Sequence, residues 1–470
     1  MSNTGWATGA PLAATSDWVD EHLLRGDDRE VCLHFGSPVT RAALRAAVAE
    51  RETALRGLGL ARGGSVALRL PPSLAYAANL LAAWRIGAQV ALLDHRLTAY
   101  ETDRALERLQ PQVLVGFTGT LPGGLRAFYD VTDVPEARDG RPAETGHAVV
   151  QLSSGSTGPS KVIARTAEQL VAEVDRYTRI DGVPLPGERV VLLASVVHVL
   201  GLVGGLLYCL HAGTELVLPE RLTVDAILRA VEAGDAPTTL LGVPFHTELL
   251  ASNPNPPKLA QLKRMTTGGE LVRAEVAQRF TDRYGITLGN MYGMTEVGVI
   301  ATDLFGEHRP SLMPAPGITV REQDGELLVA TPASPYIGLS DPTRWIDGWL
   351  HTKDAGRVDP ATGLMTVLGR LDSQVSVGGL KVDLTEVEHT LAALPGVEGA
   401  VVVYDGGIEA FAVVPDPDAA AVLEGELAVR LAPYKRPRVL HIVEQLPRTA
   451  TGKLVRDRAV LRTAEPKPAP

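Results

Sequence analysis

Residues 151–161 read QLSSGSTGPSK and gather four serines, a threonine and two glycines ahead of Lys161. Hydroxyls and closely approachable glycine N–H groups suit the oxygens of a polyphosphate, and the lysine adds charge. The stretch follows an apolar Ala-Val-Val and precedes Val-Ile-Ala-Arg, so it lies between two strand-like runs. Composition alone leaves two readings level, a phosphate-binding loop and a flexible surface turn. Spacing excludes the nucleoside-triphosphatase loop G-x-x-x-x-G-K-[ST]: the glycines are Gly155 and Gly158, and Lys161 is followed by Val162.

Other residues able to do chemistry are scattered, and each has a plain structural alternative. Glu296 could cap a helix, Asp354 could be a turn residue before Gly356, Tyr292 could be core, and Lys453 could be an exposed loop lysine. The two cysteines, Cys32 and Cys209, have neither metal-ligand spacing nor an export context, so two reduced thiols are expected rather than a zinc site or a disulfide.

The elements that must position these residues alternate. TRAALRAAVAERETALRGLGL carries an amphipathic helical pattern, SVALRL and VALLD are short strands, and SLAYAANLLAAWRIGA between them is a crossover helix. QVLVG, AVVQLSS, RVVLLAS and TELVLP continue the alternation, which implies parallel sheets covered on both faces. After about Pro310, the Asp-Gly of GITVREQDGELLVATP signals a hairpin, and GRVDPATGLMTVLGR suggests a second. Beyond Arg370 a compact α+β unit is expected. Thr385 and Glu388 would form a capping box opening TEVEHTLAAL, and AVVVYDGGIEAFAVVP reads as another hairpin. The tail AEPKPAP reads as disordered.

With 470 residues the chain exceeds one ordinary core, while 45% hydrophobic and 21% charged residues are typical of a globular enzyme. A net charge of −10, from 45 basic and 55 acidic residues, argues against general nucleic-acid binding. Val190 to Leu210 holds no Asp, Glu, Lys or Arg and is long enough to span a membrane. Its serine, histidine and glycines favour a buried strand feeding a helix instead, so no membrane association is expected. No basic start precedes an apolar run at the N-terminus, which points to a cytoplasmic protein.

SSGSTGPSK resembles the phosphate loop of the adenylate-forming superfamily, which includes acyl- and aryl-CoA synthetases, adenylation domains of nonribosomal peptide synthetases, and luciferases. Five more segments follow in that family's order. MTTGGE (265–270) resembles its adenine-side loop, NMYGMTEVG (290–298) its Tyr-Gly-x-Thr-Glu motif, and GWLHTKDAGRVD (348–359) its ribose-binding stretch. GRLDSQVSVGGLKVDLTEVE (369–388) resembles the hinge region and LPRTATGKLVRD (446–457) the terminal catalytic-lysine motif. The resemblance runs from roughly residue 40 to residue 460, closest in pattern to acyl- and aryl-CoA ligases.

The resemblance implies an α/β large domain (1–370) with mostly parallel sheets flanked by helices, a hinge, a small mobile α+β domain (371–460) and a tail (461–470). It implies that a carboxylate attacks the α-phosphorus of ATP, releasing pyrophosphate and leaving an acyl-adenylate. Ser153, Ser154, Gly155, Ser156, Thr157, Gly158 and Lys161 would hold the phosphates, Thr295 would contact the α-phosphate, and Glu296 would ligate Mg²⁺. Tyr292 would stack on adenine beside Gly269 and Glu270, with Asn290, Met291 and Gly293 in the same motif. Asp354 would accept from both ribose hydroxyls and Arg370 would support ribose and phosphate. Lys453 would bridge the substrate carboxylate and the α-phosphate as charge builds.

For the second half-reaction, Asp372 matches the hinge position and VSVGGLKV the thiol channel, in which Gly378 and Gly379 would allow close approach of a CoA or phosphopantetheine thiol. An ordinary tight turn explains that glycine pair equally well. The basic segment APYKRPR (432–438) could meet CoA's 3′-phosphate or a carrier protein acting in trans, or be a solvated loop. ASVVHVLGLVGGLL (194–207) resembles the acid-side motif; it offers His198 and no carboxylate, which disfavours an α-amino acid. The pocket set His198, Val199, Leu202, Thr267, Gly268, Met294 and Val299 is mostly apolar, pointing to an aryl or medium acyl acid. An amine in place of the thiol is the competing enzyme reading, and a non-catalytic adenylate sensor the third.

Overall fold

The computed structural model describes residues 17–153, 161–269, 272–337, 342–415, 419–447 and 454–463. The chain divides into two compact units. One comprises Met1–His95, Leu109–Leu152 and Val162–Gly369; the other comprises Arg96–Arg108, Ser153–Lys161 and Arg370–Pro470. That Arg96–Arg108 groups with the C-terminal residues is invisible in local sequence pattern.

Local chemistry starts and stops these helices. Helix Leu74–Ile86 opens on Ser73, whose hydroxyl accepts from the Tyr76 N–H, and ends at Gly87 with φ 82°. Helix Arg41–Gly57 opens on Thr40 and buries Leu44, Val48 and Leu55 along one stripe. Strands Ser65–Leu68, Gln89–Leu92, Val113–Thr118 and Val149–Ser153 pair in parallel within a seven-stranded sheet. In the nine-stranded sheet, strands Glu215–Leu218, Arg189–Leu192, Thr238–Gly242, Leu262–Gly268 and Thr287–Met294 run parallel in that spatial order. The run after Arg189–Leu192 forms a π-helical turn, Leu200–Leu207, that continues into helix Tyr208–Ala212. Among the described residues no helix is long and apolar enough to cross a membrane.

The hairpin expected at Asp324-Gly325 is present: Val320–Gln323 pairs antiparallel with Glu326–Ala330, and both turn residues have positive φ. Strands Trp349–Val358 and Met365–Arg370 also pair.

The second unit is α+β, with antiparallel strands Gly399–Tyr404 and Ile408–Val413, a parallel neighbour Val439–Ile442, and helices Leu384–Ala392 and Ala420–Arg430. The expected capping box does not form. Asp383, one residue ahead of the helix, accepts from the Thr385 N–H, while buried Glu388 turns inward to Arg456 and the Val402 N–H. A tertiary ion pair outcompetes the local reach back to the helix end. The tail 464–470 lies outside the described residues. Both cysteines are free and buried, and burial pushes their thiols up to about 11 for Cys32 and about 12 for Cys209.

The basic segment 432–438 is no open cationic patch. Lys435 is buried between Glu101 and Glu386, 2.9 Å from each, and Arg436 donates to the Leu431 and Ala428 carbonyls at the end of helix Ala420–Arg430. Gly378 and Gly379, with φ 59° and 83°, form the two-residue turn between strands Gln374–Val377 and Leu380–Asp383. Turn geometry is therefore a sufficient reason for both glycines.

Candidate active site

Parallel pairing places the C-terminal ends of neighbouring strands on one sheet edge, where ligands of α/β folds bind. Thr267 stands in register with Asn290, and Gly268 with Met291, so the 265–270 and 290–298 motifs emerge side by side. The 194–198 segment leaves the same edge after strand Arg189–Leu192. Segments nearly a hundred residues apart thus share one rim.

Asn290 is buried and its side-chain oxygen accepts from the Met291 N–H. Thr267 is fully buried, and its hydroxyl has no hydrogen-bond partner among the described residues. Tyr292 donates its phenol proton to Asp354 Oδ2 at 2.6 Å, which joins the expected adenine-side and ribose-side residues. Gly269 follows the strand end, and Gly293 and Met294 complete strand Thr287–Met294.

Asp354 owes its position to a bulge. Glu326 pairs with Ala355 but Leu328 pairs with His351, so three residues of one strand stand opposite a single residue of the other. Lys353 takes φ 62°, a left-handed conformation costly for a side-chain-bearing residue. The Glu326 carboxylate accepts from the Lys353 N–H at 2.8 Å and from His351 Nδ1 at 3.1 Å, with Lys353 Nζ 3.4 Å away. Burial works against this carboxylate, yet these partners hold it below the usual range. Thr352 donates to the Leu327 carbonyl and accepts from the Asp354 N–H. Sequence reading missed Glu326, Thr352 and Lys353, because a bulge is specified by its partner strand.

Beyond the strand end, Glu296 accepts from the Tyr336 hydroxyl at 2.8 Å and lies 3.9 Å from Arg344, which also donates to Tyr336. Burial first, then Glu296, pushes the Tyr336 phenol far up, so it remains a donor. Mg²⁺ is commonly held by one or two protein carboxylates, with phosphates and water completing its shell. Glu296 fits the single-carboxylate version. Thr295 is half-buried beside it.

On the acid side the 194–207 stretch itself carries no carboxylate, as its sequence reads, but one reaches His198 from another segment. Asp94, just past strand Gln89–Leu92, places Oδ2 3.4 Å from His198 Nε2. Val199 is half-buried, whereas Leu202 and Val299 are wholly inside the main core. Met294 packs beside Ile163, Tyr336 and Leu350.

In the second unit Arg370 Nε donates to Asp372 Oδ1 at 2.9 Å, so the expected ribose arginine and hinge residue are paired. Ser153 ends strand Val149–Ser153 and Lys161 opens strand Lys161–Arg165. Ser154, Gly155, Ser156, Thr157, Gly158, Glu270 and Lys453 lie outside the described residues.

The α/β edge carrying the Tyr292–Asp354 pair, Glu296 and His198 belongs to a chain whose family and relatives make it an AMP-forming ligase. The model of the AMP-binding enzyme family matches residues 20–331, and that of the AMP-binding enzyme C-terminal domain matches 386–453. The chain belongs to the AMP-binding enzyme family. It is similar to a feruloyl-CoA synthase from Amycolatopsis sp, 29% identical over 90% of this chain and 94% of the relative. It is also similar to a benzoate–CoA ligase of Thauera aromatica, 30% identical over 68% and 66%. Among solved structures, o-succinylbenzoate CoA synthetase of Bacillus subtilis superposes with TM-score 0.80 at 23% identity, covering 96% of this chain and 98% of that one. An amide bond synthetase of Marinactinospora thermotolerans superposes with TM-score 0.75 at 25% identity, covering 96% and 99%.

The bulge yields a prediction. Glu326→Gln removes the charge that holds the left-handed Lys353 and should raise the KM for ATP roughly fivefold to tenfold, about 1–1.4 kcal/mol. Lys353→Gly, which tolerates that φ, should leave this KM within about twofold, whereas Lys353→Val should raise it. Steady-state kinetics at saturating acid decide; equal KM values across the series would show that the bulge does not set Asp354.

Proposed function

We propose that this enzyme activates an aryl or medium acyl carboxylic acid as its adenylate and transfers the acyl group to the thiol of free CoA. The observation that carries the reading is the common rim formed by residues 265–269 and 290–296, with Tyr292 hydrogen-bonded to Asp354. Similarity to feruloyl-CoA synthase and benzoate–CoA ligase supports an aryl acid and CoA. The Asp94 carboxylate is buried with Oδ2 3.4 Å from His198 Nε2 and is not exposed to an ammonium, which supports an acid without an α-amino group.

In the first step a substrate carboxylate oxygen bonds to the α-phosphorus and the bond to pyrophosphate breaks. Asp354 accepts from the ribose hydroxyls, exchanging part of its bond with Tyr292, whose ring packs against adenine beside Gly269 and Glu270. Thr295 and the 153–161 loop, with Lys161, orient the phosphates. Glu296 would hold Mg²⁺, which when bound screens the phosphate charge. Lys453 neutralises the charge building between carboxylate and α-phosphate. In the second step, rotation about Asp372 releases the Arg370 contact and admits the thiol; its sulfur attacks the acyl carbon, the thiol proton passes to water, and AMP leaves as the acyl–phosphate bond breaks. The reaction suits the cytoplasm, where ATP and CoA are supplied.

A second reading, capture of the adenylate by an amine, draws support from the likeness to the amide bond synthetase. Incubation of benzoate, ferulate, octanoate and phenylalanine with ATP and Mg²⁺, with and without CoA or a primary amine, separates the two. Thioester and AMP from an aryl acid with CoA are expected. Amide formation with no thioester would establish the second reading, and absence of AMP with every acid would overturn both.

A further inference from the structure

We propose that Asp94 is a positioning residue for His198, orienting the imidazole that faces the carboxylic acid; this rests on the reading of 194–207 as the acid side of the site. Three observations support it. The His198 backbone is pinned: Tyr76 donates to the Val196 carbonyl, Gln151 donates to the Val197 carbonyl, and the His198 carbonyl accepts from the Leu202 N–H that opens the π-helical turn. Its Nε2 is buried 3.4 Å from Asp94 Oδ2, although the side chain as a whole is 39% exposed, so the ring turns one nitrogen inward and leaves the rest of its face open. Asp94 is itself 7% exposed and sits among fixed groups, with His95 Nδ1 3.6 Å away and Arg69 donating to the His95 carbonyl.

A buried carboxylate in this position selects the ring state with hydrogen on Nε2 and thereby sets what Nδ1 offers to a ligand. At 3.4 Å the Nε2–H is not aimed well enough at the carboxylate for a formed bond. A small reorientation of the ring completes it, as catalytic contacts commonly tighten on substrate binding. Asp94 and His198 are 104 positions apart and follow strands of two different sheets, Gln89–Leu92 in the seven-stranded and Arg189–Leu192 in the nine-stranded one, so packing between the sheets brings them together.

The test has two arms. In pyrophosphate exchange with benzoate, Asp94→Asn and His198→Gln should each lower kcat/KM for the acid roughly tenfold, leave the KM for ATP unchanged, and be no worse combined. Asp94→Glu should recover part of the loss, and thermal midpoints of all variants identify any that fail to fold. Multiplicative losses would overturn the proposal. The second arm needs no turnover: in histidine-labelled protein, the His198 ring ¹⁵N signals, assigned by their loss in His198→Gln, should report an Nε2-protonated ring in the wild type and shift in Asp94→Asn or Asp94→Glu. Unchanged signals would overturn the proposal. If the wild type makes no AMP with any acid, the functional reading fails while the ring signals still decide the pairing.

Discussion

Lys453→Ala should lower acid-dependent pyrophosphate exchange by roughly 10²–10³-fold, the loss expected when one group stabilising transition-state charge is removed. Adenylation brings a carboxylate against a polyphosphate, so repulsion between anions is the central difficulty. A lysine reaching both relieves it only as the new bond forms, and its loss therefore falls on kcat more than on the KM for ATP. Lys453→Arg should rescue poorly, because a planar guanidinium does not replace a compact ammonium. Transfer from a supplied acyl-adenylate to CoA should remain within about threefold of wild type if the lysine serves only the first step. Exchange near the wild-type rate would remove Lys453 from the mechanism; equal loss in both half-reactions would instead assign it to both steps or to the fold.

Glu173→Ala should destabilise the large unit by about 3–5 kcal/mol, the cost of leaving a buried charge without its partner. Glu173 is almost wholly buried, pairs with buried Arg165 and accepts from the Val299 N–H at 3.1 Å. It thereby ties helix Ala167–Tyr177 to strand Gly298–Asp303, which follows the 290–298 motif. The same carboxylate dictates Gly298: φ is 87°, and an added Cβ would lie 1.9 Å from Glu173 Oε1. Gly298→Ala should consequently cost nearly as much. The combined change Arg165→Met with Glu173→Leu should be milder than Glu173→Ala, since it removes both charges and fills the space. Calorimetry decides: the first unfolding transition should fall by on the order of 10 °C for Glu173→Ala. A fall of under about 2 °C would mean that the pair does not hold this corner.

Elements were legible wherever local patterning decides them. Ser73 and Gly87 bracket a helix by their own chemistry, and Asp324-Gly325 bends a hairpin by its own φ angles. The Thr385–Glu388 cap failed because a side chain able to reach its own helix end found a stronger partner in Arg456. The basic segment 432–438 could be read as a phosphate contact, a carrier contact or a solvated loop, but two carboxylates bury its Lys435. Desolvation and pairing are tertiary quantities that a run of basic residues does not encode.

Family membership, the order of the motifs and the residue types able to handle ATP were determined by sequence alone, because motif spacing is a one-dimensional property. Only the tertiary structure decided that Tyr292 binds Asp354, that Glu326 bends the strand carrying that aspartate, and that Asp94 faces His198. Register between paired strands sets the Glu326 contact, while the other two pairs join residues on, or just past, strands of different sheets, and side-chain electrostatics acts across space regardless of separation along the chain.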